Sequence, residues 1–354
     1  MSIFEDNKIK HTPISELGEF GLIDHITKSF ICKNKNTIEG VGDDAAVLDY
    51  LDDKYQLLST DMLLEGVHFD LSYSPLKHLG YKAVSVNVSD ICAMNGEATH
   101  ITVSIAVSNR FPVEALEELY SGINLACKKY KLDLIGGDTT SSIHGLVISI
   151  SVFGEVEKSK ISYRKGAKVN DLVVVTGDLG AAYLGLQILK REKEIFIENP
   201  AIQPDLQGND YALQRQLKTE ARTNLVDVLK DLNIVPTSMI DISDGLTSEI
   251  LHLSKKSDVG ITIYEDKLPI DYTTMNLSKE LNLNPIFCAL NGGEDYELLF
   301  TISQEHYSKL KKDVDFTIIG HVTHKSEGNN FIAKDNSSHE ITAQGWEPIK
   351  NKNI

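Results

Sequence analysis

The spacing of apolar residues changes several times along the chain, and each change marks an element. Residues 55–61 (Tyr-Gln-Leu-Leu-Ser-Thr-Asp) read as a strand ending in polar groups. Over 75–96, Leu76, Leu79, Ala83, Val86 and Met94 recur at helical spacing, which places Asn87 and Asp90 on one helix face. Residues 99–108 alternate as a strand does. Residues 112–130 form an amphipathic pattern, with Pro112 near its start and Val113, Leu116, Leu119, Ile123 and Ala126 facing inward. A short apolar strand at 132–135 runs into Gly136-Gly137-Asp138-Thr139-Thr140, and a further strand spans 146–156. This order predicts an α+β layer, a mixed sheet with helices on one face.

A boundary falls near the charged residues 157–160, dividing the chain into 1–156 and 157–354. Beyond it, strands are expected at 171–176, 239–241, 259–264 and 298–302, with a helix from the Ser243 region through Lys256. Ser15 to Phe20 begins a short helix after a polar arm. Residues 191–220 are charged and weakly periodic, so no element is assigned there. No short-period repeat occurs.

Length sharpens this picture to two domains, since 354 residues exceed a usual single domain. A hydrophobic content of 42% and a charged content of 24% describe an ordinary globular chain. The net charge of −16 argues against nonspecific binding to nucleic acid or anionic membranes. Phosphate ligands stay open, because bound Mg²⁺ can invert the local field. Cys32, Cys92, Cys127 and Cys288 form no CxxC pair and read as reduced core or helix residues. With a polar start and no run of membrane-spanning length, the expected location is the cytoplasm.

Glycine beside carboxylate recurs at expected strand ends: Gly42-Asp43-Asp44, Gly137-Asp138, Asp241-Ile242-Ser243-Asp244-Gly245 and Gly293-Glu294-Asp295. Glycines let backbone N–H groups approach anionic oxygens, and adjacent carboxylates call for a hard cation. Ser59, Thr60 and Asp61 add a hydroxyl, a carbonyl and a carboxylate. The combination suits a polyphosphate carried on several Mg²⁺ ions. Ser243 reads as a helix N-cap next to a phosphate-favouring helix start. Each motif alone also fits a turn or a cap, and it is their joint recurrence that suggests one site. No phosphate-binding P-loop and no protein-kinase signature occurs, so any ATP binds by another scheme. His68 reads either as a packed histidine or as a contact to an acceptor. Arg164 is either a solvated loop charge or a phosphate contact, and Trp346 either a core anchor or a stacking surface.

Taken together, Gly42-Asp43-Asp44-Ala45-Ala46, Ser59-Thr60-Asp61, Glu65, His68-Phe69, Asn87-Val88-Ser89-Asp90, Gly136-Gly137-Asp138-Thr139, Asp241-Ile242-Ser243-Asp244-Gly245-Leu246 and Gly292-Gly293-Glu294-Asp295-Tyr296-Glu297-Leu298 resemble the thiamine-monophosphate kinase family. That family is grouped with aminoimidazole ribonucleotide synthetase, and the likeness runs from about Gly18 to Trp346. The resemblance implies a two-domain fold of mixed sheets that dimerises through its N-terminal domain. It also implies ATP-dependent phosphorylation of thiamine monophosphate to thiamine diphosphate by direct transfer. By the same likeness, Asp44, Ser59, Thr60, Asp61, Asp90, Asp138, Asp241 and Asp244 would hold Mg²⁺. Gly137, Asp138, Arg164 and Ser243 would contact ATP, and His68, Glu294 and Trp346 the thiamine part. Two alternatives stay open: a synthetase of the same superfamily acting on another small molecule, and a non-catalytic binder of nucleotide or divalent metal.

Overall fold

The structure is a computed structural model that describes residues 13–310 and 315–343. The first half runs α1 (Gly18–Thr27), β1 (Thr37–Glu39), β2 (Ala46–Leu48), β3 (Lys54–Leu64), α2 (Leu76–Ala93), β4 (Glu97–Val107), α3 (Val113–Tyr130), β5 (Asp133–Ser141) and β6 (Val147–Glu157). The second half begins with β7 (Leu172–Thr176), α4 (Ala181–Glu198), α5 (Asp210–Leu217), α6 (Thr223–Asp231), β8 (Ser238–Asp241), α7 (Leu246–Ser257) and β9 (Gly260–Tyr264). It ends with α8 (Tyr272–Glu280), α9 (Pro285–Asn291), β10 (Leu298–Ile302), α10 (Tyr307–Leu310), β11 (Phe316–Thr323), β12 (Asn329–Ile332) and β13 (Ser338–Glu340).

Two mixed sheets result. The first has the order β1-β2-β3-β6-β4-β5, antiparallel except for the β4–β5 pair that α3 connects. The second has the order β13-β12-β9-β11-β7-β10-β8, with β12 and β9 parallel. On β6 every second residue is buried, so Ile148, Ile150 and Val152 form the face that the helices cover. The opposite face carries Ser149, Ser151 and Thr60 and stays open. One apolar core runs from this sheet through α2 and α3 to Met239, Leu298 and Phe300 of the second sheet.

The sequence reading needs four corrections here. β3 extends to Leu64 because it pairs with β6 along its whole length, so Ser59-Thr60-Asp61 lies mid-strand. The charged stretch 191–220 contains the end of α4 and all of α5. Ser243 is not a cap: Gly245 holds the N-cap position of α7, and the Asp244 N–H is satisfied instead by the Glu249 side chain at 3.0 Å. Cys32 is exposed in a loop, whereas the other three cysteines are buried in helices.

Helix α2 is buried on nearly every side from Leu79 to Ala93. It reaches α3 through paired glycines. A Cβ on Gly80 would lie 2.1 Å from the Leu119 carbonyl oxygen, and one on Gly122 would lie 1.9 Å from that of Lys77. Neither backbone can yield without separating the helices. Gly122→Ala is therefore expected to cost about 1–3 kcal/mol of stability, read as a lower midpoint in urea unfolding. An unchanged midpoint would show that the helices can part freely.

Candidate functional site

A cleft of about 1010 Å³ lies between the halves, lined by α1, β3, α2, the β8–α7 turn and the 291–296 loop. That is the upper end of the size range for small-molecule sites, with room for two ligands. Helix α2 forms its floor. Because successive strand residues point to opposite faces, β3 turns Ser59 and Asp61 toward α2. The Ser59 hydroxyl donates to Asp90 Oδ2 at 2.5 Å, and the Asp61 N–H donates to Asn87 Oδ1 at 3.1 Å. From the same helix the Ser89 hydroxyl donates to Asp241 Oδ2 at 2.6 Å, which ties α2 to the end of β8.

These bonds bring ligand oxygens of Asp44, Asp90 and Asp241 within 4.8 Å of one another. Asp44 is buried, its Oδ1 accepts from Arg164 Nη2 at 2.6 Å, and its Oδ2 has no partner among the described residues. Burial and the neighbouring charges hold the surrounding carboxyls up. Asp43 is pushed to about 7 by burial and then by Asp44. Asp61 rises to about 6 through burial, Glu19 and Asp44, and Asp241 to about 7 through burial and Asp44. Burial, with Asp61 and Asp241 adding to it, drives Asp90 well above the carboxylate range. An unpartnered buried carboxylate oxygen amid crowded acids is the donor set a divalent cation fits.

Two turns up α2 from Asp90 the cleft changes character. Lys82 Nζ pairs with the Glu294 carboxylate and donates to the Gln216 carbonyl at 2.8 Å. His68 Nδ1 accepts from the Leu64 N–H at 3.0 Å, leaving the neutral ring's proton on Nε2. Burial lowers the His68 pKa below its ordinary value. Glu294 and Tyr296 both adopt positive φ, 63° and 49°. Their N–H groups donate to Ser243 and Ile242 carbonyls at 2.7 and 2.8 Å, which pins the 293–297 loop to the β8–α7 turn.

Asp44, Ser59, Asp61, Asp90, Asp241, Ser243, Asp244, Arg164, His68 and Glu294 thus all line one cleft. Thr60 reaches its edge, but its hydroxyl donates to the Ile150 carbonyl and accepts from the Ser151 hydroxyl, both at 3.1 Å, on the open face of the sheet. Asp138 does not line the cleft of its own chain. It pairs with Ser104 on exposed β5, on the sheet face opposite Asp61 and three strand spacings away, about 14 Å. Gly137 has a packing reason of its own, since a Cβ there would meet the Val103 carbonyl oxygen at 1.8 Å. Trp346 lies outside the described residues.

Sequence reasoning singled out the Asp43-Asp44 pair but missed Lys82, Glu249 and His252, which also belong to the cleft or the turn beneath it. Lys82 left a signal, being the one charged residue in the run Leu79 to Ser89. Glu249 is buried beneath the β8–α7 turn and held well above the carboxylate range by burial and Asp244.

The raised pKa values carry a stability prediction. A carboxyl at about 3.8 in the unfolded chain and 6–7 in the fold keeps its proton longer when folded, so stability falls as pH rises from about 4 to about 7. The thermal midpoint in EDTA is expected to drop between pH 5 and pH 8. Mg²⁺ should restore it, more at pH 8 than at pH 5. A Mg²⁺ effect that is absent, or the same at both pH values, would contradict the cation reading.

Comparison with known proteins places the chain in a family. The AIR synthase related protein N-terminal domain matches residues 42–156, and the corresponding C-terminal domain matches 168–331. A thiamine-monophosphate kinase of Bacillus subtilis (strain 168) is 35% identical over 342 residues, 94% of this chain and 100% of the relative. One of Aquifex aeolicus (strain VF5) is 37% identical over 334 residues, 94% of this chain and 98% of the relative. The solved structure of AaThiL complexed with AMPPCP and TMP superposes with a TM-score of 0.79 at 35% identity, covering 96% of this chain and 99% of that one. The chain belongs to the thiamine-monophosphate kinase family, built on the two AIR synthase related domains.

Proposed function

We propose that this protein transfers the γ-phosphoryl group of ATP to thiamine monophosphate, giving thiamine diphosphate. The observation that carries the reading is the pairing, in one cleft, of a three-carboxylate cluster with a Lys82–Glu294–His68 end. Relatives of the same family, one solved with an ATP analogue and TMP, support it. On this reading Asp44, Asp61, Asp90, Asp241 and Asp244 hold Mg²⁺, with the Ser59 hydroxyl and the Thr60 carbonyl nearby. Bound there, Mg²⁺ would draw charge from the phosphoryl oxygens and offset repulsion between donor and acceptor phosphates. Arg164 is steered by Asp44 and lines the cleft, where its guanidinium would meet a phosphate oxygen. Ser243 meets the nucleotide, while His68 and Glu294 meet the thiamine part.

No general base is needed, because the attacking phosphate oxygen is already ionised at neutral pH. Catalysis then rests on alignment and charge neutralisation, which the cleft supplies. Free cysteines and dependence on ATP suit the cytoplasm.

Residues 1–156 give most of the metal-binding side and pair two chains through the open face of the first sheet and strand β5, every residue of which is exposed. In that homodimer Gly137 and Asp138 serve the cleft of the second copy. Co-expressing Asp44→Asn with Asp138→Asn, each inactive alone, should then restore about a quarter of wild-type activity through mixed dimers with one intact site. If Asp138 acts within its own chain, nothing is restored.

The reading itself is tested by incubating the protein with Mg²⁺, ATP and thiamine monophosphate and resolving thiamine diphosphate by chromatography. Asp90→Asn and Asp244→Asn should lower turnover at least about a thousandfold, with no loss of metal-free stability. ATP binding without that product would favour a non-catalytic binder, and wild-type rates in either variant would refute the metal assignment.

A further inference from the structure

Lys82 has no part in the phosphoryl transfer as described, yet it is a lysine placed on the most buried helix of the fold. A lysine there is costly unless its ammonium is fully paired. Its partners come from two distant segments, the Gln216 carbonyl at the end of α5 and the Glu294 carboxylate on the 293–297 loop. The two oxygens of Glu294 are treated unequally. Oε2 takes Lys82 and, at 3.3 Å, the Gln216 side-chain amide. Oε1 takes only a long 3.4 Å contact from the Tyr296 hydroxyl, and the side chain stays 28% exposed toward the cleft. The backbone beneath is held in the left-handed region at Glu294 and Tyr296, a strained arrangement that neighbouring hydrogen bonds enforce.

We propose that Lys82 is a positioning residue that locks the Glu294 carboxylate by one oxygen, so that Oε1 faces the cleft as acceptor for an N–H donor on the heterocyclic end of the phosphate acceptor. This rests on the functional reading above. Lys82 stands eight residues from Asp90 on α2, about 12 Å along the axis. That separation leaves room for the body of a small phosphate ester between the acidic cluster and Glu294. Gln216 fastens the same oxygen from α5, so the lock also couples that helix to the substrate end of the cleft.

A double-mutant cycle on the full-length protein tests this. Lys82→Met should raise KM for thiamine monophosphate about ten- to a hundredfold, the loss of one charge-assisted hydrogen bond, while kcat and KM for Mg-ATP stay within a few fold. In a Glu294→Gln background the same substitution should add little, and Lys82→Arg, which keeps the charge, should recover most of the affinity. If Lys82→Met fails to fold, Gln216→Ala probes the same oxygen, with a smaller KM rise that again vanishes in Glu294→Gln. Additive effects, as for a lysine that contacts the substrate phosphate itself, overturn the proposal. So does a parallel loss of ATP affinity. A wild type that makes no thiamine diphosphate overturns the functional reading and this inference with it, whereas a working wild type with additive variants overturns the inference alone.

Discussion

Hydrogen bonds from one buried helix hold the acidic end of the cleft in place. Within α2, Asn87 accepts from the Asp61 backbone and Asp90 from Ser59, while Ser89 donates to Asp241 at the end of β8. A polar group on a helix without a solvent-facing side must find a partner inside the protein. The strand partners of these groups are thereby fixed in register and distance. The cost of the arrangement is electrostatic: it crowds carboxylates where water cannot screen them.

The protein supplies cations of its own to some of these acids and withholds them from others. Glu297 is wholly buried, yet Arg215 and Arg222 outweigh the cost of burial and hold its pKa below the ordinary value. Asp44 has Arg164 and Glu294 has Lys82. Among the described residues, Asp90 and Asp241 receive only hydroxyl hydrogen bonds, and both are driven upward. The difference leaves Asp90 and Asp241 in the cleft with no cationic partner among the described residues, whereas Asp44 and Glu294 line the same cleft already paired. It also explains the absence of a candidate base, since transfer between two ionised phosphates asks for positive charge and alignment rather than proton removal.

The 293–297 loop joins these two systems. Asp295 and Glu297 turn toward the arginines of α5 and its neighbouring segment, while Glu294 turns into the cleft. Successive residues of one loop thus reach opposite environments, and the positive φ at Glu294 and Tyr296 makes the alternation possible. The weakly periodic stretch before residue 220 owes its order to these contacts together with a small apolar cluster in which Ala212 and Leu213 pack with Leu184 and Ile188 of α4.

The sequence by itself determined the elements and the residue types of the site. Apolar periodicity placed α2, α3, β4, β6 and most strands of the second half, because period and burial are local properties of a pattern. Glycine–carboxylate pairs marked the turns at Asp44, Asp241 and Glu294 for the same reason. Tertiary structure alone decided which of those residues meet. Ser89 and Asp241 are 152 positions apart, Asp44 and Arg164 are 120 apart, and Lys82 and Glu294 are 212 apart. It also set Asp138 apart, since side-chain direction on a strand depends on pairing register, and a β4–β5 register carries no mark in the Gly-Gly-Asp-Thr motif. Local chemistry can be read from neighbours along the chain, but convergence depends on packing between segments that share no pattern.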